Sequence, residues 1–218
     1  MSKVEAVKHH IPDQILMAYS SGNLPEAYSL VVACHLSLCD ECRAQAESFD
    51  VVGGAMLDDD SGVEISDDAL AATMKLIEAG LPDEPKKPVK RDKVLPAPLM
   101  EYVGGGVDAI RWRSVGGGVK QSVLKTEEGA TARLLYIPAG KEVPDHTHGG
   151  LEMTMVLQGA FADEVDRFGR GDVEIGTEDL HHTPIAEAGA DCICLAATDA
   201  PLKFKGLIPR LAQPFIGI

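Results

Sequence analysis

The run His35-Leu36-Ser37-Leu38-Cys39-Asp40-Glu41-Cys42 decides how the front of the chain is read. A histidine, a cysteine four residues on and a second cysteine three further put three soft donors within reach of one ion. On a helix, or at a helix–turn–helix corner, those offsets fall on one side. Zinc takes four Cys and His ligands in a closed structural site. The run supplies three, so the fourth comes from elsewhere. His9 and His10, just ahead of the first expected helix, are the nearest candidates, and the residues alone leave the pair undecided.

Working outward, the surrounding sequence reads as helical. Pro12 opens a helix over 12–20, with Ile15, Leu16 and Tyr19 on one stripe. Gly22 and Asn23 end it. Pro25 opens a second helix, apolar on most sides toward its end, with His35 in its last turn and Cys34 facing the helical core. Asp40 and Glu41 start a third, where acids suit the positive end of the helix dipole, and it runs to about Met56. After an acidic loop at 58–62, Ser66 caps a fourth helix, with Ala69, Leu70, Met74 and Ile77 as its apolar stripe and Gly80 and Pro82 as its stop. A helical unit of about 60 residues has a thin core, so a metal staple makes physical sense. The fourth helix either packs on its own unit or clamps a partner.

The charge is uneven. Of the net −14, residues 1–84 carry sixteen acids against four bases, and the remainder eighteen against sixteen. The acidic front suits a basic protein partner. It argues against direct nucleic-acid binding, which leans on Lys and Arg. Apolar content of 45% fits a globular core, and 218 residues allow one large domain or two small ones. No run of about 18 apolar residues suggests a membrane span, and the N-terminus lacks the order of a signal peptide. The expected location is the cytoplasm. There, metal binding explains the clustered cysteines better than a disulfide framework does.

Residues 81–98, with five prolines and alternating charges, read as a semi-extended linker. The expected division is a helical unit at 1–80, this linker, and a second unit at 99–218. Beyond the linker the period changes to two. Short β-rich stretches at 109–114, 119–125, 131–137, 152–157, 172–175 and 192–197, punctuated by glycine, predict an all-β sandwich or barrel. A second ligand set lies within it: His146, His148 and Glu152, with Gly171-Asp172 leading through a strand toward His182. Histidines at i and i+2 on a strand share a face. Three imidazoles and a carboxylate suit Zn, Mn, Fe or Ni. Cys192 and Cys194 also share a strand face. They form either a redox- or metal-responsive pair or two small buried apolar residues.

The spacing Gly140-x5-His146-x-His148-x3-Glu152-x6-Gly159 resembles the first cupin motif at every defined position. The second motif is met at Gly171 and His182, which favours His182 over His181. It departs at Thr177, Asp179 and Ala186, where Pro, Gly and Asn are usual. A leading His followed by His-x3-Cys-x2-Cys on helices is similar to the zinc-binding anti-sigma domain. That domain followed by a Pro-rich linker and a cupin resembles the ChrR-type anti-sigma factors over nearly the whole chain. The stretches His-Leu-Ser-Leu-Cys-Asp-Glu-Cys and Asp-Cys-Ile-Cys-Leu-Ala-Ala-Thr-Asp-Ala-Pro-Leu are especially alike.

The resemblance implies two domains: an all-α helical bundle with a zinc site, then an all-β cupin barrel (a double-stranded β-helix). It implies that the helical domain inhibits an extracytoplasmic-function sigma factor in a one-to-one complex. The cupin domain would respond to singlet oxygen or organic peroxide and let the sigma factor go. The implied ligands are His10, His35, Cys39 and Cys42 for the first zinc, and His146, His148, Glu152 and His182 for a second ion, zinc or in its place Mn, Fe or Ni. The chain is then not an enzyme. The alternative is a metal-dependent cupin dioxygenase or isomerase with a helical attachment. Three His and a Glu close a tetrahedral zinc but leave two positions open on an octahedral iron or manganese.

Overall fold

Helix α2 (Glu26–Leu36) is apolar nearly all round because it is covered on two sides. Seven of its residues are buried: Ala27, Tyr28, Leu30, Val31, Val32, Cys34 and His35. The computed structural model describes residues 6–58, 62, 64–80, 91–147, 149–201 and 203–204. One side of α2 meets α1 (Asp13–Ser20) and α3 (Asp40–Asp58). The other lies on a six-stranded sheet, against β3 (Thr131–Ile137), β5 (Glu152–Gln158) and β11 (Cys192–Thr198). Leu16, Leu30 and Val31 therefore share one continuous core with Met153, Met155, Leu157 and Leu195. The front helices do not close a core of their own. A helix apolar all round needs two covers, and the sheet supplies the second. Tyr28 fastens the contact, its hydroxyl donating to the Leu151 carbonyl at 2.7 Å.

The sheet runs in the order β1 (Arg113–Gly116), β2 (Val119–Val123), β3, β11, β5, β8 (Val173–Gly176). Its strands pair antiparallel. β11 is buried along its whole length. Ile193, Leu195 and Ala197 face the helices, while Cys192 and Cys194 face an interior cluster with Ile137, Val156, Phe161, Phe168 and Ala186. Two smaller sheets complete this region. One holds β10 (Ile185–Ala186), β6 (Ala160–Ala162) and β7 (Arg167–Gly169); the other holds β12 (Lys203–Phe204), β4 (His146–Thr147) and β9 (His181–His182). The expected strands at 131–137, 152–157 and 192–197 are found nearly to the residue. The first expected strand is shorter and later: 107–109 is a 3-10 turn, and pairing starts at Arg113.

The expected linker lies mostly outside the described residues. Its described end, 91–98, is packed. Asp92 accepts from the amides of Val94, Leu95 and Val107, and Arg170 donates to the Val94 carbonyl. Leu95 is buried, and Ala97 begins α5 (Ala97–Val103) against α2. Two of the five prolines that suggested extended chain are helix-start residues here: Pro96 caps α5 and Pro98 lies in its first turn, where a missing N–H costs little.

One carboxylate takes three amides where the chain ahead of α1 meets the sheet. Asp172, at the entrance to β8, accepts from the amides of Lys8 at 2.6 Å, His9 at 3.0 Å and Gly169 at 2.8 Å. Burial raises its pKa, but these hydrogen bonds outweigh it and hold the carboxyl below the usual carboxylate range. Its contribution to stability is therefore present above about pH 3.9 and is lost as pH falls through the depressed folded-state pKa. Replacing Asp172 by Ala should lower stability by roughly 2–4 kcal/mol, measured by urea unfolding at pH 7, because three amides lose a charged acceptor. An unchanged midpoint would show that this carboxylate does not hold the arm.

Candidate metal centres and partner surface

The end of α2, the turn after it and the start of α3 bring His35, Cys39 and Cys42 together, and the N-terminal arm adds His10. One donor atom from each of the four lies within 4.8 Å of the others. His10 Nδ1 is 3.3 Å from Cys39 Sγ and 3.5 Å from Cys42 Sγ. His9 points elsewhere, its ring against Phe168 and its nitrogens toward Asp166 and Asp172. The choice the residues left open thus goes to His10.

His35 reveals what the set is for. Its Nδ1 lies 2.8 Å from the Gly171 carbonyl, which can only accept, so Nδ1 carries the proton and Nε2 a lone pair. That Nε2 is fully buried with no hydrogen-bond partner, a state costing roughly 1–3 kcal/mol unless something positive meets it. Burial lowers the His35 pKa and so keeps the ring neutral, as a ligand must be. Burial also pushes the Cys42 thiol up to about 11. A site with two thiols, two imidazoles and an orphaned lone pair fits a metal ion such as zinc.

The second set is brought together in part. β4 and β9 pair so that His146 lies opposite His182, their Nε2 atoms 3.2 Å apart. His146 Nδ1 faces the Pro144 carbonyl at 2.8 Å, which leaves Nε2 as an acceptor. His182 Nδ1 faces two acids, Asp163 at 2.8 Å and Glu174 at 3.2 Å. Two Nε2 lone pairs this close repel unless a proton or a metal ion lies between them. The electrostatics agree. Burial opposes charge on His182, yet Glu174 and Asp163 outweigh it and raise its pKa to about 9. Burial raises Glu174 to about 7 against the pull of His182. The place is built for positive charge.

His148 lies outside the described residues. Glu152, the expected carboxylate ligand, is not in the group that converges on His182; among the described residues that group is Asp163 and Glu174. Glu152 accepts from the Thr154 hydroxyl at 2.9 Å, and its charge acts on the buried Arg133. The sequence held no signal for Glu174: an acid between Val173 and Ile175 in an alternating run reads as a solvent-facing position, yet it is buried. Asp163 follows the short strand β6 and carried none. Cys192 and Cys194 are buried with their sulfurs 3.5 Å apart. Hydrogen bonding between them and burial raise the Cys194 pKa well above its ordinary value.

A different surface lies on α3 and α4 (Ala69–Ala79). α4 buries no residue. Val51, Met56, Leu57, Leu70 and Leu76 are each more than 70% exposed. Large apolar side chains in such numbers on two helices mark a place for a partner.

A family model described as the ChrR cupin-like domain matches residues 102–201. The chain is 53% identical over 212 residues to the anti-sigma-E factor ChrR of Cereibacter sphaeroides, covering 97% of this chain and 99% of that protein. The crystal structure of Rhodobacter sphaeroides SigE in complex with the anti-sigma ChrR matches with a TM-score of 0.79 and 54% identity, over 89% of this chain and 100% of the matched one.

The helical site gives a direct test by metal analysis of purified variants. Cys39→Ser and His10→Ala should each lose one metal equivalent, whereas His9→Ala should keep it. Retention of that metal by His10→Ala would remove His10 from the site.

Proposed function

The chain belongs to the ChrR family of anti-sigma factors, and on that premise we propose that it holds an extracytoplasmic-function sigma factor inactive in a one-to-one complex. The observation that carries the reading from this molecule is the apolar surface on α3 and α4, which no part of the described chain covers. The unit at 1–80 makes the contact, with α4 as a clamp on the partner. The acidic front adds charge complementarity to a basic sigma factor. No helix among the described residues is long and apolar enough to cross a membrane; the protein acts in the cytoplasm and does not itself bind nucleic acid.

His10, His35, Cys39 and Cys42 hold a zinc ion that staples the arm, α2 and α3 together. The unit at 99–218 is a cupin barrel that senses the signal. Its ion, a second zinc or in its place Mn, Fe or Ni, is held by His146 and His182 with His148 and Glu152. Bound there, such an ion polarises and orients an oxygen-bearing ligand. Asp163 and Glu174 keep the Nδ1 proton on His182 and so aim its Nε2 inward. Singlet oxygen or an organic peroxide is the signal that ends inhibition, as the likeness to the ChrR-type factors implies, and the thiols of the helical set are compatible with it. The protein turns over no substrate in this role. The dioxygenase or isomerase alternative is not favoured.

Co-purification of the tagged chain from its own cytoplasm should return a stoichiometric sigma factor, with about two metals per chain. Absence of a sigma factor would overturn the reading. Burying one exposed Leu contributes roughly 1.5–3 kcal/mol, so Leu70→Ser and Leu76→Ser should each weaken the complex by about tenfold or more. Full affinity in both would remove α4 from the interface. His146→Ala should leave inhibition intact and block release by oxidant in a promoter assay; normal release would take the interior site out of the sensor.

A further inference from the structure

The four-residue stretch 171–174 touches one ligand set at its first residue, the other at its last, and the arm that carries His10 in between. The Gly171 carbonyl accepts from His35 Nδ1 at 2.8 Å. The Asp172 carboxylate takes the amides of Lys8 and His9, the residues that lead into His10. The Val173 amide donates to the His9 carbonyl at 3.2 Å. Glu174 then turns to the other face of the strand and meets His182 Nδ1 at 3.2 Å. Three residues of chain span at most about 10 Å, so both sets hang on one short piece of backbone.

That piece has little slack on one side and freedom on the other. Gly171 has φ +93°, and a Cβ there would lie 2.7 Å from Val7 Cγ2, so the arm packs directly on the backbone. Among the described strands β8 is the edge of its sheet, paired to β5, with the Val173 amide bonded to the His9 carbonyl of the arm on its other side. A strand with a full ladder on one side and a single bond on the other moves at lower cost than one paired along both sides, and this one carries the arm with it.

We propose that Gly171–Glu174 is a shared positioning element, through which occupancy of the His146–His182 site alters how firmly the His10–His35–Cys39–Cys42 site holds its ion. Glu174 is the positioning residue on one side, and the Gly171 carbonyl and Asp172 are its counterparts on the other. The proposal rests on the reading that both sets bind metal and names how they communicate. An ion at the interior site fixes His182, and with it Glu174 and the strand. Where neither an ion nor His146 meets His182 Nε2, that anchor is gone, and Glu174 and the carbonyl that orients His35 are held less firmly.

The test uses the full chain loaded with Co²⁺, because thiolate-to-cobalt absorption reports only the centre that contains Cys39 and Cys42. The readout is the rate at which that signal is lost to a chelator. Emptying the interior site with His146→Ala should speed the loss by at least about fivefold, the low end of ordinary coupling between sites. In a Glu174→Ala background the same change should have an effect below about twofold, since the path is already cut. Glu174→Gln, which keeps an acceptor for His182 Nδ1, should restore the dependence. Two ions bound by the parent chain, with a loss rate indifferent to His146→Ala, would overturn the coupling and leave the two-centre reading standing. An equal His146→Ala effect with and without Glu174 would overturn the assigned path. A single ion in the parent chain would overturn the two-centre reading and this proposal with it.

Discussion

The burial of α2 on two sides is the constraint on which the rest of the structure depends. Its apolar surface runs round the helix, so one cover is not enough. α1 and α3 take one side and the sheet takes the other. From this follows the placing of the helical ligand set. His35, in the last turn of α2, has its Nδ1 oriented by the Gly171 carbonyl, two residues ahead of β8. Cys39 and Cys42 follow at the corner. His10 completes the set because Asp172 holds the arm. The two halves of the chain share one core and one set of hydrogen bonds.

Much of this architecture is legible in the sequence, and the reasons differ by element. His35, Cys39 and Cys42 can be read because their spacing is local and helical. The helices at 13–20, 26–36, 40–58 and 69–79 can be read because proline, glycine and acidic residues mark their ends. α5 is not legible: Pro96 and Pro98 look the same in an extended linker as in a first helical turn. The docking of α2 on the sheet is not legible either. All-round apolarity says that a helix is covered, not by what. The choice of His10 over His9 comes from the residues around them in space, Asp166, Asp172 and Phe168, all more than 150 positions away in sequence.

The interior site shows a further limit of reading by spacing. His146 and His182 come together because β4 and β9 pair; the spacing marks the two histidines but not that pairing. The two acids on His182 come from elsewhere. Glu174 reaches it from β8, and Asp163 from the loop after β6. A spacing pattern captures groups that face an ion directly. It is blind to the groups behind them, whose position is set by tertiary contact alone. These carboxylates explain why a chain with so many acids still builds a pocket that wants positive charge.

The isolation of α4 has a consequence for the timing of its contacts. The helix has eleven residues and buries none of them. Isolated helices shorter than about 12–15 residues are marginal in water. On the proposed reading, a partner laid against α4 would stabilise its helical form, so that ordering and docking would become one event. Such a contact can be broad without being permanent. Each time the surface beneath it loosens, the segment regains its conformational freedom, and that entropy favours dissociation over recapture.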